Sequence, residues 1–268
     1  MIIQWNLTQS LSQYRKADVI ILSIGKSGRT WLRVLVNKYL SLHYNIPFEL
    51  SDLHKYNEII PSIIYSHEIW LHYSEATWFQ YIFGKYVIPN KILHSKKIIL
   101  LCRDPRDVVV SLYHQKTRRS RKKIKTDIHS FIKHKKYGIY NIIKVLTIWH
   151  ERLKNHPSLL LIRYEDIKED ALGNLLKILE FLGIKDIDMK KAVEAVSFSD
   201  FDNMKLMEAS GDFRNSKLLP ADPSDPNSFK VREGKVGGYV LHCSEADQRY
   251  LTDALNNLAD YFGYKKDF

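Results

Sequence analysis

Lys26, Ser27 and Thr30 place one cation and two hydroxyls in a short stretch bracketed by Gly25 and Gly28. The preceding run Val19-Ile20-Ile21-Leu22 is apolar enough for a buried strand, and Leu32, Leu35, Val36, Tyr39 and Leu40 follow at helical spacing. A strand, a small-residue loop and a helix start leave several backbone N–H groups aimed at one spot. The positive end of the helix dipole lies behind them. Such a pocket suits a phosphate or a sulfate. The plainer alternative is an ordinary strand-to-helix turn that happens to carry a lysine. The loop is not a Walker A sequence, because alignment on G-K-[ST] puts Ser23 at the first glycine and Arg29 at the lysine.

Three other places carry groups of matching chemistry. Arg103 follows the apolar run Lys97–Cys102, with Ser111 eight residues on. An arginine fork suits a second phosphate, and the alternative is an ion pair with Asp104 or Asp107. Arg232-Glu233-Gly234-Lys235-Val236-Gly237-Gly238 sets cations among glycines, as a phosphate clamp or as a solvated basic turn. His67 ends the run Ser62-Ile63-Ile64-Tyr65-Ser66, where an unperturbed pKa of about 6.5 suits a general base. It is one of eleven histidines, and a lone histidine is more often structural.

The elements that must position these groups follow from the pattern of apolar residues. Strands are expected at 18–24, 62–67, 97–102 and 159–164, the last three being short or continuously apolar as in parallel sheets. Helices are expected at 30–42, from Pro105 to Gln115, from Tyr137 to Leu153, at 170–183, near 188–196 and 199–208, and at 244–262, with Ser244 as N-cap. Residues 209–236 hold Gly211, Pro220, Pro223 and Pro226 without periodicity and read as a long lid loop. Neither a repeat nor a linker is visible. The alternation predicts an α/β fold: a single domain over 1–268, core 18–262, with a central parallel sheet flanked by helices. Ligands in such sheets sit at the carboxyl ends of strands, so Lys26, His67 and Arg103 are expected on one edge.

Composition narrows the partner. The 268 residues hold 41 Lys plus Arg against 30 Asp plus Glu, a net charge of +11, and are 45% hydrophobic. The excess favours an anionic ligand, and the basic run 116–136 reads as a solvated face or as a steering surface for an anion. Two cysteines, Cys102 and Cys243, form no disulfide framework and fit a reducing compartment. The N-terminus shows no signal-peptide pattern, and no apolar run approaches a membrane span. A soluble, cytoplasmic protein is expected, and charge alone does not choose among nucleic acid, acidic lipid and an anionic cofactor as its partner. His, Cys and carboxylates show no metal-ligand spacing.

Gly25-Lys26-Ser27-Gly28-Arg29-Thr30-Trp31-Leu32 resembles the phosphosulfate loop of the soluble, cytosolic-type sulfotransferases. Cys102-Arg103-Asp104-Pro105-Arg106-Asp107-Val108 through Ser111 looks like their 3′-phosphate motif. Tyr164-Glu165-Asp166 and Arg232-Glu233-Gly234-Lys235-Val236-Gly237 match two further landmarks in the same order, and the resemblance spans about 18–262. It implies a P-loop-like fold and transfer of a sulfuryl group from 3′-phosphoadenosine 5′-phosphosulfate (PAPS) to a hydroxyl or amine of a small acceptor. The product would be adenosine 3′,5′-bisphosphate (PAP), with no metal. It further implies that Lys26, Ser27, Gly28, Arg29, Thr30 and Trp31 hold the phosphosulfate, with Trp31 also against the adenine. Arg103, Ser111, Arg232, Glu233 and Gly234 would hold the 3′-phosphate. Tyr164 would contact the adenine, with Phe201 favoured over Phe198 as the stacking ring. His67 would be the catalytic base, and Lys26 would stabilise the leaving group.

The chain departs from that pattern in places. Tyr65 stands where many relatives have lysine, Glu233 replaces a common lysine, and Gly238-Tyr239 replaces Asp-Trp. A short dimer motif is missing near the C-terminus, so the oligomeric state stays open. The acceptor wall is expected from 44–90 and the 209–236 lid. Their Tyr and Trp residues admit an aromatic or cyclic acceptor, and Asp52, Glu58 and Glu68 admit a cationic one such as a natural-product alkaloid; the partner implied is that small molecule, with no nucleic acid and no membrane. Two competing readings are a P-loop kinase using ATP–Mg²⁺ and a basic nucleic-acid-binding protein with salt-dependent affinity.

Overall fold

The computed structural model describes residues 11–120, 122–210, 222, 224–225 and 228–264. Most of the proline-bearing stretch 211–227 and Arg121 of the basic run therefore lie outside the described residues. Four parallel strands form the sheet: β1 (Val19–Ser23), β2 (Ile63–Ser66), β3 (Lys97–Cys102) and β4 (Leu159–Arg163). Their spatial order is β2-β1-β3-β4, with Ile21 paired to Tyr65 on one side and Ile99 on the other. The chain steps from β1 to one side and then returns to the other. That reversal opens a crevice at the carboxyl ends of β1 and β3, where ligands of open α/β sheets bind.

Alternate residues of the strands feed two cores. Ile20, Leu22, Ile98, Leu100 and Cys102 face helices of one layer. That layer includes α2 (Glu68–Ser74), α4 (Pro105–His114), α5 (Ile139–Leu153) and α10 (Glu245–Ala254). Between α2 and α4 the short helix α3 (Trp78–Ile82) stays at the surface. Val19, Ile21, Ile99, Leu101 and Ile162 face the other layer. There lie α1 (Arg29–Tyr44), α7 (Ala171–Leu182) and α8 (Met189–Phe198), with α6 (Tyr164–Glu169) leading in from β4. Burial on both faces explains why the strands read as continuous apolar runs.

Local signals set most boundaries. Asp104 accepts the Arg106 N–H and Pro105 opens α4, which satisfies a helix start without needing the proline's missing donor. Ser244 accepts the Asp247 N–H at the start of α10. That helix stops at Ala254 instead of running to 262. The Asn257 side chain donates to the Ala254 carbonyl, and the chain continues as 3₁₀ turns at Leu255–Asn257 and Asp260–Phe262. Helix α9 (Phe201–Ser210) runs two residues into the stretch expected as loop. Among the described residues no helix is long and apolar enough to cross a membrane.

Candidate active site

The loop between β1 and α1 is shaped by two left-handed residues, Lys26 (φ 75°) and Gly28 (φ 88°). Gly28 is the N-cap of α1 and supplies no side chain, so the first amides of that helix stay available to an anion. A Cβ at Gly28 would lie 2.5 Å from the Tyr164 ring, so the tyrosine packs flush against the loop. Ser27 is buried, and its N–H turns back to the Ile24 carbonyl at 3.4 Å. It lines no described cavity, unlike every other residue of the loop from Gly25 to Trp31.

Above the loop opens a cleft of about 440 Å³, lined by Lys26, Gly28, Arg29, Thr30, Trp31 and His67. His67 caps α2 just after β2. Its Nδ1–H donates to the Ser23 carbonyl at the end of β1. A carbonyl only accepts, so Nδ1 carries the proton and Nε2 is left as the basic nitrogen. Burial, Arg29, Lys230 and Arg33 push the His67 pKa down to about 3, so the ring is neutral at physiological pH. Burial and then Lys230, Arg119 and Arg103 lower Lys26 to about 7. Each of these shifts reflects burial first and then the cations gathered in the cleft.

Two smaller recesses adjoin the cleft. The first, about 100 Å³, is walled by Trp31, Tyr164 and Phe201 with Arg103, Lys168, Met204, Val231 and Gly234. Trp31 and Tyr164 meet edge-on at 5.4 Å, and the Arg103 guanidinium stacks 4.4 Å over Tyr164. A Cβ at Gly234 (φ 62°) would lie 2.4 Å from the Phe201 ring, so these two close one wall. Phe198 turns away and packs edge-on against Phe48 at 5.1 Å. The flat aromatic walls fit a nucleobase.

The second recess, about 40 Å³, is lined by Arg103, Ser111, Arg232, Glu233, Gly234, Lys235 and His242. Arg103 does form the ion pair with Asp107, at 3.3 Å, and also donates to the Lys235 carbonyl at 2.9 Å. Its buried Nε has no partner among the described residues. Asp107 also accepts the N–H groups of Gly237 and Tyr239 at 2.9 and 3.0 Å, so it ties the 232–239 segment to the end of β3. Glu233 pairs with Arg232 and accepts from or shares a proton with His242 at 3.1 Å. It thus lines the recess as a counter-charge. Glu165 accepts the Asp104 N–H at 2.9 Å and joins the ends of β3 and β4.

Two cations that sequence reasoning did not single out, Lys168 and Lys230, face these spaces together with Arg119 of the basic run 116–136. Lys168 stands about equally far from the Trp31 and Phe201 rings, at 5.7 and 5.8 Å. Arg119 and Lys230 line the main cleft. Lys230 sits two residues before Arg232, a signal that was available. Of the basic run 116–136, Lys116 and Arg119 line the cleft.

A further chamber of about 270 Å³ shares Arg29 and His67 with the cleft and is lined by Tyr14, Tyr65, Leu71, Lys85, Tyr86 and Val87. Glu68 borders it but is spent: its carboxylate accepts from Ile88 N at 2.7 Å, Trp149 Nε1 at 3.1 Å and Arg152 at 2.8 Å. Asp52 is likewise engaged, by Ser62 at 2.6 Å and the His54 and Ile63 amides at 3.3 Å, and Glu58 is exposed. Among the described residues no group of three or more His, Cys, Asp and Glu is gathered as a metal site.

Known proteins are similar to this chain over most of its length. Cytosolic sulfotransferase 14 of Arabidopsis thaliana is 25% identical, over 88% of this chain and 73% of its own. The amine sulfotransferase of Oryctolagus cuniculus is 25% identical, over 89% and 79%. A mouse sulfotransferase solved with PAP superposes with a TM-score of 0.62 at 22% identity, covering 94% of this chain and 88% of that one. A retinol dehydratase solved with androsterone and PAP gives 0.62 at 19% identity, over 96% and 86%. The sulfotransferase domain family matches residues 16–263, and the chain belongs to that family.

Proposed function

We propose that this sulfotransferase uses PAPS as donor and acts on a hydroxyl of a small acceptor, through one domain with a P-loop-like phosphosulfate loop. The observation that carries the reading is the contiguity of three chambers, each lined by residues from distant segments. They are the cationic cleft with Lys26 and His67, the aromatic recess with Trp31, Tyr164 and Phe201, and the anion recess with Arg103, Ser111 and Arg232. Base, 3′-phosphate and phosphosulfate of one nucleotide each meet a matching surface. The fit is supported by the open amides at the start of α1, by the orphaned Arg103 Nε and by the two glycines flush against Tyr164 and Phe201.

The donor supplies the sulfuryl group. The acceptor hydroxyl loses its proton to His67 Nε2 as its oxygen bonds to sulfur, and the electron pair of the breaking S–O bond goes to the 5′-phosphate oxygen. Lys26 and the α1 amides stabilise the charge that builds there. Negative charge brought by the nucleotide offsets Arg29 and Lys230, which raises the basicity of His67 when the donor is in place. The 270 Å³ chamber beyond His67 is the acceptor side. With Glu68 and Asp52 engaged and Glu58 exposed, the reading favours a neutral or anionic ring compound over a cationic one.

The test runs PAP, ATP–Mg²⁺ and an oligonucleotide in parallel by calorimetry, followed by a screen of phenols, alcohols and amines with labelled PAPS. PAP should bind without metal and EDTA should not weaken it. Tighter binding of ATP–Mg²⁺, or of the oligonucleotide with a steep salt dependence, would remove the reading.

A further inference from the structure

The main cleft holds more positive charge than the phosphosulfate loop supplies. Beside Lys26 it is lined by Arg29, Lys116, Arg119 and Lys230. Lys116 is matched by Glu75 at 2.6 Å. Lys230 differs from the rest in where it comes from. It belongs to the C-terminal segment that also carries the anion-recess arginine, and three consecutive residues of that segment serve three chambers. Lys230 lines the cleft, Val231 lines both the cleft and the aromatic recess, and Arg232 lines the anion recess.

That segment is held by a buried acid. Glu208, near the end of α9 and fully buried, accepts the N–H of Lys230 at 2.7 Å and of Val231 at 2.8 Å. Arg119 lies 3.7 Å from the same carboxylate. Anchoring the backbone on both oxygens directs the lysine side chain to the cleft, where it meets the loop. Lys230 is the foremost charge lowering Lys26, and it also lowers His67. Burial, then Arg119 and Arg29, bring Lys230 itself to about 7. Lys26, Lys230 and the base therefore line one cleft, where the Glu208 carboxylate offsets part of the positive charge and a sulfuryl group would offset more. The β2 edge offers no cation there: it presents Tyr65, with Arg33 stacked 4.0 Å over the ring.

We infer that Lys230 touches the sulfuryl oxygens of the donor together with Lys26, and that the 3′-phosphate seats it there through Arg232. Recognition of the nucleotide's far end would thus complete the charge environment of the reacting sulfur. This rests on the reading of the site as a PAPS site.

The experiment compares Lys230→Met with wild type by calorimetry, using three probes without acceptor: PAP, PAPS and adenosine 5′-phosphosulfate, which lacks the 3′-phosphate. One charge-assisted hydrogen bond corresponds to about 10–100-fold in affinity. Lys230→Met should weaken PAPS by that factor while PAP changes by less than about threefold, and Lys230→Arg should restore part of the loss. With adenosine 5′-phosphosulfate the loss should shrink to about threefold or less, because nothing seats the segment. Equal losses for PAP and PAPS, which include a misfolded variant or a contact to the 5′-phosphate, would overturn the assignment. So would unchanged PAPS affinity. An undiminished loss with adenosine 5′-phosphosulfate would overturn the coupling through Arg232. Failure of the wild-type protein to bind PAP would instead remove the PAPS reading itself.

Discussion

The donor side and the acceptor side of the cleft are built by different means. On the proposed donor side three groups follow strands, Lys26 three residues after β1 and Arg103 and Tyr164 directly after β3 and β4, while Ser111, Phe201 and Arg232 come from helices and a loop beside them. Those strands share one ladder, Leu22 with Leu100 and Leu100 with Leu161, so an error in one position is resisted by the whole sheet. The acceptor side leans on short pieces. Tyr14, Leu71, Tyr86 and Val87 come from helix ends and loops, and the nearby α3 segment leaves Trp78 68%, Phe79 62% and Phe83 60% exposed. Exposed rings with few buried neighbours give low local stability, which suits a surface that adapts to its ligand. On the proposed reading, the contrast teaches that nucleotide recognition leans on groups fixed by the sheet, whereas acceptor choice leans on side chains of a softer frame.

The strongest challenge to that contrast is His67, which stands on the border. His67→Ala should lower turnover by about 10²–10⁴-fold on a hydroxyl acceptor while PAP affinity stays nearly unchanged. Lys26→Ala should weaken both. A folded His67→Ala enzyme with near wild-type turnover would remove the histidine from the chemistry. Kinetics, calorimetry and a melting curve on the two variants separate these cases.

A rigid donor side should also be intolerant of small additions. Gly28→Ala adds a methyl at φ 88° and 2.5 Å from the Tyr164 ring. Strain of about 1–3 kcal/mol predicts a loss of roughly 5–150-fold in PAP affinity. If the variant binds PAP as wild type does, the donor side is softer than described.

Protonation provides a third probe. Lys26 and Lys230 lie near 7 in the empty cleft, and a bound anion raises both. Binding should then take up protons. Affinity for PAP should be full below about pH 7 and fall as pH rises through 7 towards 9, by up to about tenfold per pH unit, the limit for Lys26 alone, and PAPS, whose sulfuryl oxygens also reach Lys230, should fall more steeply. Calorimetry in buffers of different ionisation enthalpy measures the uptake. Release of protons, or affinity flat from pH 7 to 9, would contradict the shared positive cleft.

The smallest expected effect sharpens the acceptor side. Trp78→Ser with Phe79→Ser should leave PAP binding free energy and folding stability each within about 0.5 kcal/mol of wild type, since both rings are largely exposed. Acceptor KM is the quantity expected to move. A drop in PAP affinity would show that the two sides are mechanically one.

What the sequence determined by itself is local. A run of four apolar residues, two glycines and a helix start dictate a loop with open amides. Asp104-Pro105 dictates a capped helix after Arg103. These are short-range consequences of backbone sterics and hydrogen bonding, so they and the order of the four motifs were legible before any fold was known. The register of the contacts was not. Nothing local says that Asp107 would bind the amides of Gly237 and Tyr239, that Glu208 would hold Lys230 and Val231, or that Glu68, a possible partner for a cationic acceptor, would be occupied by Ile88, Trp149 and Arg152. Each of these outcomes joins residues many positions apart, and only the sheet order and the packing of helices on its two faces decide which charges meet. The proton on His67 Nδ1 is of that kind too: it follows from the Ser23 carbonyl, brought alongside because β2 pairs with β1.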